Sequence, residues 1–226
     1  MNYRYFSFNH RFNHRAARCG LSLMLYLGVA AGSVAMAATD NWQFKVFLDD
    51  KPVGTHQFTV IDQQGRIQVS GSARFNVTFL GFNAYSYQHN NREDWQGQCL
   101  QRITASTNDN GEQLSVSGQP GQAGFQVRSG DSNTTYPACV KSFAYWRLPF
   151  MRAAQLLNAQ TGELVNVSLR SLGMSKVVAS GAEVNAQRYQ LTGKDIQIDL
   201  WYSPAGRWLA LESLTAGGQR IRYQLQ

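Results

Sequence analysis

Apolar and polar residues alternate along nearly the whole chain beyond residue 40. Trp42, Phe44, Val46 and Leu48 alternate with polar positions such as Gln43 and Lys45. The same spacing returns in His56, Phe58 and Val60, in Ile67, Val69 and Gly71, in Phe75, Val77 and Phe79, and in Ile196, Ile198, Leu200 and Tyr202. A period of two puts alternate side chains on one face, so each run predicts a β-strand with one face buried. Leu164–Leu169, Val184–Leu191, Arg207–Leu214 and Arg220–Leu225 are read as further strands.

Turn residues separate the runs. Asp49–Gly54, Gln63-Gln64-Gly65, Gly118–Gly121, Thr192-Gly193-Lys194 and Gly217-Gly218 have turn composition. Asn110-Gly111 between two strand-like runs is a hairpin signal. Ser203-Pro204-Ala205-Gly206 places Pro at the second position and Gly where a positive φ is needed. Leu80–Asn83 is expected to bend or bulge its strand, and Ser129–Pro137 reads as a loop.

One stretch, Cys139–Leu157, breaks the alternation. Pro149 suits the first turn of a helix, and the spacing predicts a helix over 149–158. Phe150, Leu156 and Leu157 would face a sheet, with Arg152 and Gln155 toward water. A segment this short is unstable alone and must dock on apolar surface. The expected fold is therefore all-β: an antiparallel meander of roughly ten or more strands forming a curved sheet or half-open barrel, with one short helix as a cap.

Composition changes the picture mainly at the N-terminus. Residues 1–37 read as a signal peptide: Arg4, Arg11, Arg15 and Arg18 precede the apolar run Leu21–Ala31, and Ala35-Met36-Ala37 fits small-x-small cleavage before Ala38. An uncleaved anchor is the alternative. The exported part is then a single β-domain over 38–226. The whole chain carries +7. Removing those four arginines leaves 17 basic residues against 14 acids, so the basic balance belongs largely to the leader. No nucleic-acid partner is implied. Cys19 goes with the leader, and Cys99 and Cys139 remain as an even pair, expected to form a disulfide in an exported protein.

Candidate chemistry centres on the aromatic stretch from Phe75 to Trp95. Tyr85, Tyr87, His89, Asn91, Glu93 and Trp95 share one face of a long strand. Tyr85, Tyr87, His89 and Trp95, with Tyr145, Trp146 and Phe150 of the cap, form a candidate pocket for an amphipathic ligand; the alternative is a filled aromatic core. An unperturbed histidine titrates near pH ~6.5, so binding would then respond to pH. His56 and His89 are the two histidines of the exported part and lack zinc-site spacing, and no P-loop, dinucleotide or nucleophile-elbow motif appears. Glu93, Asp199 and Glu212 are possible carboxylate pairs of a hydrolase, but acids at strand edges are ordinarily solvated. The reading assigns no cofactor, metal or catalytic residue.

Gly54-Thr55-His56, the Tyr85-x-Tyr87-x-His89 row with Glu93-x-Trp95, Thr107–Gly111, Leu156-Leu157-Asn158 with Thr161-Gly162, Asp199–Tyr202, Gly206–Ser213 and Arg222-Tyr223 together resemble an exported bacterial family known as domain of unknown function 6134. More loosely the final meander resembles domain of unknown function 3108. The likeness implies export and one β-domain, and brings no activity or site residues. Two roles follow: an exported, periplasmic protein that holds an amphipathic or lipid-like envelope ligand, or an envelope interaction module with a filled core and a protein partner.

Overall fold

The computed structural model describes residues 37–79, 82–215 and 217–226. All but the last residue of the expected leader, and Leu80-Gly81 of the expected bend, lie outside the described residues. The strands are β1 (Ala38–Leu48), β2 (Lys51–Gln63), β3 (Arg66–Phe79), β4 (Phe82–Gln96), β5 (Cys99–Asp109), β6 (Glu112–Gly121), β7 (Gly124–Ser129) and β8 (Ser132–Tyr136). After the interruption come β9 (Gln155–Leu157), β10 (Leu164–Ala179), β11 (Ala182–Gly193), β12 (Ile196–Tyr202), β13 (Trp208–Leu214) and β14 (Arg220–Leu225). All fourteen belong to one antiparallel sheet in the order β8 to β1, then β14 back to β9. Two meanders are thus joined by their outer strands, with Phe44 opposite Leu225 and Leu48 opposite Ile221.

The alternation marks the inner face as expected. Trp42, Phe44, Val46, Phe58, Val60, Ile67, Val69, Trp95, Leu200, Tyr202 and Trp208 are buried together. The sheet is an open, strongly curved one, and its two edges approach without forming a ladder. Tyr136 at the end of β8 bridges the seam: its hydroxyl donates to the Gly162 carbonyl at 3.0 Å and accepts from the Leu164 amide at 3.3 Å. Gly162 is required there. Its φ is +76°, and a Cβ would lie 3.0 Å from Ser129 Cβ and 3.2 Å from Val127 Cγ1.

The cap differs from its sequence reading. A single 3₁₀ turn, Phe150–Arg152, replaces the helix expected over 149–158, and Gln155–Leu157 is strand β9, paired with Leu164–Asn166. The turn has no side-chain N-cap bond and no acid in its first turn, so little holds a longer helix together. Leu156 and Leu157 instead gain ladder partners through the hairpin at Asn158–Gly162, where Asn158 Oδ1 accepts from the Gln160 amide at 2.8 Å. Two loop readings are also corrected. Gly118–Gly121 ends β6, and Ser132–Tyr136 is an edge strand. β8 is paired on one side and almost wholly exposed, so nothing selects an apolar alternation in it.

Cys99 and Cys139 are bridged, with Cα atoms 4.8 Å apart. The bridge ties the start of β5 to the chain leaving β8, and the Leu100 amide bonds the Val140 carbonyl beside it at 3.0 Å. Its 40-residue separation corresponds to about 4 kcal/mol in the chain-entropy model.

β12 and β13 bury both faces, which a period-two reading does not show. β10 is four places from β14 in the sheet, yet the Ser180 amide at the β10–β11 turn donates to the Leu225 carbonyl at 2.7 Å. Beyond the bulge at Ser171–Gly173 the hairpin therefore folds back across the outside of β12 and β13. It covers Trp201, whose Nε1 donates to Ser175 Oγ at 2.8 Å, and Ala210.

Candidate functional site

The expected seven residues separate into two groups. Trp95, Trp146 and Phe150 pack on one another near the β2–β3 and β4–β5 turns. Trp95 stacks on Phe150 with centroids 4.8 Å apart and meets Trp146 edge-on at 6.1 Å. All three are core residues. Arg147 fixes the cap to this end through Asp62 at 3.5 Å. Tyr145 reaches the middle of the barrel, where its ring lies 5.4 Å from Trp208 and its carbonyl accepts the Tyr202 hydroxyl at 2.8 Å.

Tyr85, Tyr87 and His89 face open space. A cavity of about 620 Å³ occupies the opposite end, beside the β13–β14 turn. Val46, Leu48, Val53, Phe75, Val77 and Ile221 form its apolar wall, and His56, Tyr85, Tyr87 and Tyr223 supply most of its polar groups. Next to it along β4 lies a chamber of about 300 Å³, lined by His89, Asn91, Glu93, Tyr145, Asn158 and Gln160 among others. His56 and Tyr87 line both. Among the described residues no lysine or arginine lines either one.

Small residues on β3 make this room. Ala73 stands between His56 on β2 and His89 on β4, and Gly71 between Phe58 and Asn91. A Cβ at Gly71 would sit 2.1 Å from Asn91 Oδ1 and 3.3 Å from the Phe58 ring. Large rings on the flanking strands lean over this low row instead of being held apart by it.

A chain of three hydrogen bonds links Tyr85 to Tyr87 through Asp109 and Gln160. Tyr85 Oη donates to Asp109 Oδ1 at 2.7 Å, Gln160 Nε2 donates to Asp109 Oδ2 at 3.4 Å, and Tyr87 Oη donates to Gln160 Oε1 at 2.9 Å. The β9–β10 turn is thereby fastened to β4. Desolvation, with Asp109 adding to it, pushes the Tyr87 hydroxyl up to about 12, and burial raises Tyr85, Tyr145 and Tyr223 further. These hydroxyls stay protonated, and those of Tyr85 and Tyr87 act as donors.

The histidines are also neutral. Burial, and then the neighbouring His89, lower His56 to about 3; burial lowers His89. The expected titration near neutral pH is therefore corrected: neither imidazole charges there, because the protein gives neither a carboxylate to pay for its desolvation. His89 Nδ1 pairs with Thr107 Oγ1 at 2.8 Å, and His56 Nδ1 with Tyr223 Oη at 3.4 Å. His56 Nε2 and Asn91 Oδ1 are buried without a protein partner.

Glu93 is buried, and desolvation raises its pKa against the opposing effect of nearby Ser142, Trp95 and Asn91. Trp95 Nε1 donates to it at 3.0 Å and Asn91 Nδ2 at 3.3 Å. Ser142 is near enough to act on the carboxyl, although its hydroxyl lacks a bond of standard geometry. The other two possible carboxylates are elsewhere: Asp199 pairs with Arg188 at 2.6 Å, and Glu212 lies opposite it on β13. Among the described residues no group of three His, Cys, Asp or Glu is placed to hold a metal ion, and no helix is long and apolar enough to cross a membrane.

Sequence reasoning missed His56, Tyr223, Asp109 and Gln160. His56 carried a signal, since it shares a face with Phe58 and Val60 where a polar side chain is out of place. Asp109 and Gln160 carried none, being turn residues in composition.

The fold has a solved counterpart. A crystal structure titled as a beta-barrel-like protein of domain of unknown function DUF1849 from Brucella abortus is similar, with a TM-score of 0.57 over 86% of this chain and 98% of that one, at 10% identity. That likeness concerns the fold alone. No curated protein matches the sequence. The family model described as Domain of unknown function (DUF6134) matches residues 44–226, from β1 through β14, and the chain belongs to that family.

Proposed function

We propose that this chain is an exported binding protein for an amphipathic, lipid-like ligand of the cell envelope. The observation that carries this reading is the 620 Å³ apolar cavity, next to a smaller space with more polar lining residues. Concave, mostly apolar sites with a few fixed polar groups are the usual form of small-molecule sites. The apolar tail occupies the outer cavity and the polar end lies among Tyr87, His56 and Tyr145. The Cys99–Cys139 bridge supports an oxidising compartment, in keeping with residues 1–37 as a leader.

The test is organic extraction and mass spectrometry of protein purified from its own compartment, followed by tryptophan fluorescence with fatty acids, phospholipids and isoprenoids. A co-purifying amphiphile and saturable rebinding are expected. Tyr87→Ala weakens rebinding, and Val77→Trp, which fills the cavity, abolishes it. Absence of any saturable change across the panel refutes the reading.

A second reading, an envelope interaction module, is favoured by one feature. Leu172, Met174 and Val178 on the folded-back part of β10 are exposed. Co-purification of a partner lost on Met174→Glu, with ligand binding absent, would favour it instead.

A further inference from the structure

We infer that the outer face of β3–β7 binds an anionic glycan chain, at a site separate from the cavity. The side chains that alternate with the buried core point outward on these strands. Among them are Arg66 and Arg74 of β3, Arg92 of β4, Arg102 of β5 and Arg128 of β7, all exposed. Among the described residues, Asp94 is the one acid at an outward position of these strands. Five arginines against one acid give this face a net +4. The chain beyond residue 37, with 17 basic residues and 14 acids, carries only +3.

The face does not neutralise its own charge. Among the described residues, none of the five arginines forms an ion pair; Asp94 stands opposite Arg102 in register without joining it. Cations of the other meander are answered, Lys176 by Glu183 and Arg188 by Asp199, both at 2.6 Å. A like-charged surface of this kind attracts an anionic partner. The arginine fork matches a carboxylate or phosphate in two parallel bonds.

Register lines the charges up. Ser70, Arg92, Thr104, Ser117, Arg128 and Asn133 form one transverse row from β3 to β8. Arg92 and Arg128 are three strand spacings apart, about 14 Å along the sheet. The short Ser and Thr side chains between them leave shallow grooves of about 530, 520 and 510 Å³. Thr104 lines all three, Arg92 the first and third, and Arg102 the second and third, so the grooves are continuous. Ser72, Asn90, Ser106 and Gln119 beside the row offer neutral hydrogen-bonding groups to sugar hydroxyls. A bilayer fits less well. The outer face of a curved sheet is convex and meets a plane at few points. Among the described residues the exposed large hydrophobics, Leu172, Met174, Val178 and Leu214, lie on β10 and β13 instead.

The test uses the full exported chain with its bridge intact. The probes are alginate, neutral dextran, poly-L-glutamate, and vesicles of phosphatidylglycerol. Saturable binding to alginate is expected, weakening as salt rises, with none to dextran. Arg92→Gln with Arg128→Gln should lower alginate affinity roughly tenfold or more, as each removes a charge-assisted contact. Arg170→Gln with Lys194→Gln removes the same charge from the other meander and should leave affinity unchanged. All four positions are exposed, and melting curves confirm that each variant is folded. Absence of saturable alginate binding, or equal losses in the two double variants, overturns the inference. Polyglutamate or vesicles bound as tightly as alginate overturn the glycan assignment and give the face to an acidic peptide or an anionic membrane.

Discussion

Strand β4 supplies both ends of the barrel from one row of alternate residues, and the two ends differ in what meets that row. At one end Trp95 meets Trp146 and Phe150 of the cap, and the space is filled. At the other, Tyr85 and Tyr87 face an apolar cavity of about 620 Å³. The strand pattern is the same throughout; the cap reaches only as far as Tyr145. Filling is thus decided by a segment distant in sequence, and a β-sheet face is a core or a pocket according to what is laid against it.

The largest contrast should come from truncating each end. Phe150→Ala or Trp95→Ala removes a fully packed ring and is expected to cost about 3–5 kcal/mol. Ile221→Ala beside the cavity removes less contact and should cost about 1 kcal/mol. Denaturant unfolding measures both, and equal losses would break the distinction. Cys99→Ser with Cys139→Ser loosens the approach to the cap and should lower stability by about 2–4 kcal/mol. A melting temperature that the loss of the bridge leaves unmoved would disprove its role in anchoring the filled end.

The hollow end should reveal itself through pH. Between pH 6.5 and about 3, His56 is neutral when folded and protonated when unfolded. The unfolded state then binds more protons, so stability falls as pH falls through this window, at up to about 1.4 kcal/mol per pH unit. His89 adds in the same direction. Glu93 acts oppositely: its raised folded pKa keeps its proton where the unfolded chain has lost it, so stability falls as pH rises above 4.5. His56→Leu should flatten the acid limb, and Glu93→Gln should flatten the limb above 4.5. Melting curves at half-unit pH steps decide this; unchanged slopes in both variants would contradict the burial assigned to these groups.

The smallest expected effect tests how the chamber is made. Gly71→Ala forces Asn91 off the floor and should cost about 1 kcal/mol. It should also weaken the saturable ligand binding expected above, because Asn91 lines the chamber. A change in stability with ligand affinity untouched would separate Gly71 from the site.

The sequence by itself determined the strands, their inward faces and most turns, because a period of two and Gly, Asn or Pro at the bends are local properties. Gly206 has the positive φ that its turn position asks for, and Cys99 and Cys139 form the expected pair. The cap is not the expected helix because Leu156 and Leu157 take ladder partners nine and seven residues ahead over a helix with no cap to hold it. The β12 pattern reads as one-faced because the hairpin covering Trp201 comes from β10. The aromatic row was legible as a face, but not as half core and half cavity. Only tertiary structure set Trp146 and Phe150 against Trp95, brought Gln160 to Tyr87 and Asp109, and left His56 over Ala73. Local patterns say which way a side chain points, and the remote packing of the chain decides what it finds there.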